Sequence, residues 1–310
     1  MAQPSTRVFE RAGVRRRRNI RWGQVATIAG FLLPAAALYT GLVLLPVLQA
    51  VYYSFFRWNG LGPLQGFNGL GNYARILGDR VFLNALGHNI QIVLMSLLIQ
   101  LPLSLGLALL LRELTKGQAF FRTVFFLPFV LSEVVSGVIW SFIYRPQGGL
   151  VDALLQMLFP GMEATALLAD PKTVLYALFV VITWKFFGYH MILYIAGLQN
   201  IPVEIEEAAA IDGCGRLQTL RYITLPLLGS TVRLSVYLSV LGSLQFFDLI
   251  WVMTTGGPVG ASDTMATYLY KFGFQRFQLG YGSAVAVIMF VLCFAFSLIY
   301  QRVAMRRDFA

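Results

Sequence analysis

Glu207-Ala208-Ala209, three further residues, Gly213, nine more, then Ile223-Thr224-Leu225-Pro226: this pattern orders a polar island at residues 199–228 between long apolar runs. Glu204, Glu206 and Glu207 follow Pro202 and predict the first turn of a short helix, where acids suit the positive end of the helix dipole. Ala208, Ala209 and Ala210 keep that helix thin and strongly helical. Asp212-Gly213 ends it, with glycine supplying the freedom of a sharp turn. A second short helix follows over about residues 215–222 and carries Arg216 and Arg221. Leu225-Pro226 then reads as the opening of the next apolar helix, since proline is well tolerated in a first turn. A thin helix led by carboxylates fits a groove on another protein. A helix lying on lipid headgroups is the alternative, but it would carry a basic polar face, and acids against anionic lipid are unfavourable.

The chain around the island is apolar. Of 310 residues 57% are hydrophobic and 12% charged, and the mean hydropathy is +0.69. A soluble globular chain carries about twice that charged fraction. Six apolar runs stand out, near residues 25–55, 89–111, 122–144, 173–197, 229–254 and 281–304. Each reaches the ~20 residues needed to cross a bilayer as a helix, whereas a barrel would show short alternating segments. The fold class expected is therefore all-α and polytopic, with six transmembrane helices. The first run is too long for the apolar stretch of a signal peptide and is expected to be retained.

Charge placement sets the orientation. Arg7, Arg11, Arg15, Arg16, Arg17, Arg18 and Arg21 crowd ahead of the first run. With the N-terminus inside, sixteen Lys and Arg lie on inside segments or their flank, seven lie outside, and Lys185 lies within a run. That bias predicts cytoplasmic N- and C-termini. The expected division is a basic arm at 1–24, a membrane domain at 25–304 with its cytoplasmic loop at 199–228, and a tail at 305–310. Aromatic residues gather at run ends, as with Tyr52, Tyr53 and Trp58, where amphipathic rings favour the headgroup level. In the first outside loop, Tyr73, Ile76, Leu77, Phe82 and Leu86 keep a helical rhythm and predict a short interfacial helix over 72–86.

Several function classes fall away. The net charge of +10 resides largely in the arginine cluster, which is a topology anchor rather than a nucleic-acid patch. No Gly-Lys-Ser or Gly-Lys-Thr occurs, so no P-loop can form, and ATP with its Mg would have to be bound by another chain. Cys214 and Cys293 fall in the loop and in the last run; they are not expected to pair and do not make a metal site. His88 and His190 stand apart, and nothing supports a membrane-embedded enzyme. An ion-coupled secondary transporter would show broken, repeated helices at midplane; no inverted repeat is evident, and the island would be unexplained.

The spacing of the island resembles the EAA loop of binding-protein-dependent ABC importer permeases, with every position of that pattern filled. The resemblance extends to Ala196-Gly197-Leu198-Gln199, Ile201-Pro202, Thr255-Gly256-Gly257-Pro258, Thr264 and Gly280-Tyr281-Gly282-Ser283-Ala284. Gly69-Leu70 and Asn72-Tyr73 also fit, so it covers roughly residue 67 to the C-terminus. The flanks are similar to the carbohydrate branch, which includes maltose and glycerol-3-phosphate permease subunits; permeases for non-sugar solutes are the nearest alternative. The resemblance implies a multi-pass subunit of a bacterial inner or plasma membrane. It implies a second permease, usually a different chain, an ATPase dimer and an extracytoplasmic solute-binding protein. It gives Glu207, Ala208, Ala209, Gly213, Ile223, Leu225 and Pro226 the role of coupling to the ATPase.

Polar groups within the apolar runs mark a possible path for substrate. Ser239, Ser243 and Phe246 lie at i, i+4, i+7 and share a helix face, and Gln245 and Asp248 are close by. Hydroxyl, amide and carboxylate groups beside aromatic rings suit a sugar. By ungapped spacing from the EAA loop, the sugar-contacting helix of the maltose permease resembles the stretch bearing Ser239, Ser243, Phe246 and Asp248. A sugar-contacting tyrosine of that family corresponds to Tyr189. Only Ser239 and Tyr189 agree in type, so the departures bear on the substrate and not on the fold. Each serine could equally bond to a neighbouring helix, and Asp248 could be structural. Glu133 and Lys185 have two readings, a pair with each other or partners on the second permease. Trp184 reads as packed in the bundle, with a sugar face the alternative.

Overall fold

The computed structural model describes residues 22–113, 116–160 and 166–305. The arginines of the basic arm and the last five residues lie outside the described residues. Two compact units are present, Met1–Gln49 and Ala50–Ala310. In the first, the described chain is one helix from Trp22 onward with Pro34 inside it, and residues 27–49 are exposed. A helix of membrane length, α1, runs Thr27–Tyr53.

The second unit is helical, with an isolated bridge between Phe56 and Phe67 as the β feature found among the described residues. Helix α2 is Gly71–Gly78 and α3 is Arg80–Arg112. The predicted interfacial helix is therefore split. Asp79 accepts a hydrogen bond from the Val81 amide at 2.8 Å and caps a new helix, so Phe82 and Leu86 belong to the long membrane helix. The third run divides into α4, Gln118–Val130, and α5, Glu133–Ile143, bent by 97°. Helix α6 is Leu150–Leu158, and α7, Val174–Gln199, is the most enclosed of the long helices. The island folds as α8, Val203–Ile211, and α9, Arg216–Leu227. The fifth run divides into α10, Gly229–Leu244, and α11, Asp248–Thr254. Helix α12 is Met265–Leu269 and α13 is Leu279–Met305.

By length and composition, four helices can cross a membrane, or six if each bent pair counts as one span. The bends fall at recognisable places. Pro226 lies in the last turn of α9 rather than opening the fifth membrane helix, and just beyond that turn the chain bends by 66° into α10. At the break between α4 and α5, Lys185 of α7 donates to the carbonyls of Leu131 at 2.6 Å and Pro128 at 3.4 Å. A cation thus meets the carbonyls that a helix end leaves unpaired. These carbonyls, rather than Glu133, are the hydrogen-bond partners of the buried ammonium.

Three buried clusters hold the unit together. One joins α3, α7 and α11 through Ile92, Leu178, Ile182, Leu249 and Ile250. A second, around Ile76, Phe82, Met265, Tyr268 and Tyr281, packs α2, α3, α12 and α13 together. The third joins Ala108, Tyr194, Leu198 and Leu228 beside the island. Helix α7 can approach α4 closely because Gly188 faces the Phe125 carbonyl, where any β-carbon would collide with backbone.

Candidate functional site

Two places gather the residues singled out in the sequence. The first is the island. Its helix α8 ends in a Schellman motif: the Cys214 amide donates to the Ala209 carbonyl at 2.9 Å, and the Gly213 amide to Ala210 at 3.1 Å. Gly213 holds φ +83°, the left-handed region where a side chain is strained. Glu206, which the sequence placed only in the first turn, anchors the helix. Its two carboxylate oxygens accept from both Arg112 terminal nitrogens at 2.8 and 3.0 Å, and Thr224 donates to it at 3.1 Å. One glutamate thus ties α8 to the end of α3 and to α9.

That anchoring leaves the other two acids, Glu204 and Glu207, outward. Glu207 and Ala208 are exposed, while Ala209 is buried against the unit. Ile223 and Leu225 are half-buried and Pro226 is exposed. Around them Ile211 is 87% and Leu217 76% exposed, with Val203 and Tyr222 also bare. Apolar side chains held outward on a rigid double turn beside carboxylates suit a protein partner. Cys214 is exposed and Cys293 half-buried, and both are free thiols.

The second place is a cavity of ≈ 230 Å³ between α3, α4, α7 and α10. Tyr189, Ser239, Ser243 and Phe246 all line it. The two serines project from α10, but the helix stops at Leu244, so Phe246 enters from the unwound turn and not from the next step of one helical face. Gln245 and Asp248 are exposed and lie outside this lining; Asp248 opens α11. Trp184 packs on Trp140 with ring centres 5.5 Å apart, also away from the lining.

The cavity has a wall that the sequence reading missed. Ser96 and Gln100 face it from α3, Phe129 from α4, and Phe186 and His190 from α7. A signal for the first two was present: Asn89, Ser96, Gln100 and Ser104 recur at seven, four and four residues, a polar stripe on one helix face, and all four are buried. His190 shares a 2.8 Å hydrogen bond with the Ser235 hydroxyl.

The unwound turn at Gln245–Phe247 is held by side chains. Asn89 donates to the Ser243 carbonyl at 2.7 Å and the Leu244 carbonyl at 3.3 Å, while its own oxygen accepts from the Met265 amide at 2.9 Å. Thr264 donates to the Phe246 carbonyl at 2.8 Å. The segment carrying Thr264 is fixed in turn by Asp263, which accepts from Lys271 at 2.7 and 2.9 Å and from Thr267 at 2.9 Å. A break that would leave orphan carbonyls in a membrane protein is thereby satisfied.

Comparison with known proteins fits this construction. A family described as the binding-protein-dependent transport system inner membrane component matches residues 100–308. The chain belongs to this family. It is a multi-pass membrane permease subunit and not an enzyme. It is 35% identical over 270 residues to a probable ABC transporter permease of Pyrococcus horikoshii, covering 87% of this chain and 92% of that one. A trehalose/maltose transport system permease of Thermococcus litoralis is 31% identical over 278 residues, covering 89% and 93%. A diacetylchitobiose uptake permease of Streptomyces coelicolor is 29% identical over 298 residues, covering 93% and 84%. The permease also shares its fold with a chain of a bacterial ABC transporter that imports the acidic polysaccharide alginate. That match has TM-score 0.81 and 22% identity, and covers 92% of this chain and 98% of that one.

Proposed function

We propose that this permease forms half of the pore of an ATP-driven sugar importer, paired with a second, different permease chain. A solute-binding protein delivers the sugar from outside. An ATPase dimer, which carries ATP and Mg, seats on residues 199–228. The termini lie in the cytoplasm, in keeping with the excess of Lys and Arg on those segments. Nucleotide-driven closure of the ATPase shifts the loop and rocks the membrane helices between two packed states. A sugar is favoured by the relatives that handle trehalose, maltose and diacetylchitobiose, and by a cavity that mixes aromatic faces with hydroxyl and amide groups. A non-sugar solute is the alternative.

The observation that carries the reading is the island itself, which is braced at Glu206 and presents Glu207, Ile211 and Leu217 outward. Coupling runs through Glu207, Ala208, Ala209, Gly213, Ile223, Leu225 and Pro226. The path for sugar runs past Tyr189, Ser239, Ser243 and Phe246, with Gln245 and Asp248 assigned to its continuation outside the cavity. Two variants test the coupling role. Glu207→Lys reverses an outward charge. Gly213→Val meets open space but a left-handed backbone, at a cost of about 1–2 kcal/mol. Both are expected to abolish uptake while the protein stays in the membrane at normal level. Uptake surviving both changes would refute the assignment.

A further inference from the structure

Two arginines far apart in sequence meet on one aromatic platform. Phe272 and Tyr281 are buried with ring centres 5.7 Å apart, and Tyr268 stacks on Phe272 at 4.2 Å. The Arg276 guanidinium sits over the Phe272 ring at 4.1 Å, and that of Arg75 over the Tyr281 ring at 4.4 Å. Arg75 also donates to the side chain of Gln278 at 3.2 Å, close to Arg276 in the chain. A cation over a ring is fixed through its charge and keeps its N–H groups. Apart from the Gln278 bond, neither guanidinium has a hydrogen-bond or carboxylate partner among the described residues. The local acids are engaged elsewhere. Asp79 accepts from the Val81 amide and the Tyr268 hydroxyl, and Asp263 accepts from Lys271. Both arginines are exposed. The result is a pair of preset guanidiniums with N–H groups to give and no counter-charge.

We propose that Arg75 and Arg276 bind the phosphate of an anionic phospholipid in the outer leaflet. Depth selects a lipid. Arg75 lies just before α3 and Arg276 just before α13, two helices of membrane length, so the pair sits where spans meet the headgroups. Bare apolar side chains flank it: Leu77 and Val81 follow Arg75, and Phe274 and Phe277 bracket Arg276. Acyl chains would cover them. A phosphodiester presents paired oxygens to the guanidinium fork, a match that arginine makes and lysine does not. Charge selects an anionic headgroup. Arg57 and Arg80 add two exposed cations to the same segments, and no unpaired carboxylate there receives the ammonium of a zwitterionic lipid. The choice of leaflet rests on the topology proposed above; the phosphate site does not.

The test is native mass spectrometry of the assembled importer, purified in detergent and titrated with dioleoylphosphatidylglycerol, dioleoylphosphatidylcholine or inorganic phosphate. One phosphatidylglycerol is expected to bind about tenfold more tightly than phosphatidylcholine and to resist an equal concentration of inorganic phosphate. Arg276→Gln and Arg75→Gln are each expected to weaken that site about tenfold. Arg276→Gln gives up only a ring contact of an exposed side chain, and the intact assembly in the same spectra shows that it folds. Arg145→Gln removes an exposed cation from another outer loop and is expected to change nothing. Equal binding of the two lipids, binding unchanged in both arginine variants, an equal loss in Arg145→Gln, or displacement by inorganic phosphate would each overturn the proposal. Weaker docking of the solute-binding protein in Arg276→Gln, with lipid binding unchanged, would assign the pair to that protein instead. The leaflet is read separately, with an impermeant maleimide on Arg276→Cys in a Cys214→Ser background. Labelling of intact cells is expected. Labelling only after the cells are opened would overturn the leaflet and the topology together, and the spectra still decide the phosphate site.

Discussion

Asn89→Leu is the substitution whose cost the structure lets one work out. The two side chains share one branched skeleton of heavy atoms, so no cavity opens, and Asn89 is completely buried. What disappears is the donor to the Ser243 and Leu244 carbonyls, at 2.7 and 3.3 Å, and the acceptor for the Met265 amide, at 2.9 Å. The two short bonds set the magnitude. Leaving a buried backbone group unpaired costs about 1–3 kcal/mol, while hydrogen bonds measured inside membrane proteins average only ~0.6 kcal/mol. The loss expected is about 2–4 kcal/mol. At ~2 °C per kcal/mol for a chain of this length, apparent Tm in nanodiscs should fall by roughly 4–8 °C. Thr264→Val removes the donor to the Phe246 carbonyl across the same turn. The double variant should therefore lose less than the sum of the two single variants, because either change alone already loosens the break. The assay is thermal unfolding of the three purified variants in one lipid composition. A fall below about 1 °C for Asn89→Leu, or strict additivity with Thr264→Val, would refute the idea that these side chains hold the turn.

Other consequences are open to measurement. Arg112 and Glu206 are partly exposed, at 29% and 24%, so Glu206→Gln should cost no more than about 1 kcal/mol of stability. It should still impair uptake by freeing α8, and the swap of Arg112→Glu with Glu206→Arg should restore part of the loss; no recovery in the swap would count against the brace. The Tyr268 hydroxyl is pushed above the ordinary tyrosine range, by burial first and then by its 2.5 Å bond to Asp79. Its folded value is raised, so its contribution to stability is complete below about pH 10 and is lost as pH rises beyond that. Apparent Tm of the wild type should fall above about pH 10, and Tyr268→Phe should flatten that fall; an unchanged slope would sink the assignment.

The membrane class and the island were legible because they rest on local rules: apolar runs of spanning length, and a helix–glycine–helix pattern fixed over some twenty residues. The breaks were not, because each depends on a partner far away in sequence. Apolar residues from 122 to 144 read as one helix, yet the bend at Leu131–Ser132 is supported by Lys185, more than fifty positions on. The run from 229 to 254 reads the same way, yet its unwound turn is paid for by Asn89 and Thr264. Ser239 and Ser243 could be placed on one face from spacing alone. Gln100 escaped because a lone amide in an apolar run attracts notice only when its stripe with Asn89, Ser96 and Ser104 is seen.

The two sites are joined by one stretch of chain, and that stretch sets what the loop can do to the cavity. Helix α9 belongs to the island, and α10 follows it after the bend at Leu228. Thr224 on α9 bonds to Glu206, while Ser239 and Ser243 on α10 face the cavity. From Gly229 to Ser239 is ten residues, about 15 Å of helix. A helix of that length moves as a rod, so a tilt imposed at the bend is delivered to the serines rather than absorbed on the way. The far end of the rod is pinned at Ser243 and Leu244 by Asn89. A lever with one driven end and one pinned end rotates about the pin. On this geometry a tilt imposed at the bend would carry Ser239 further than Ser243.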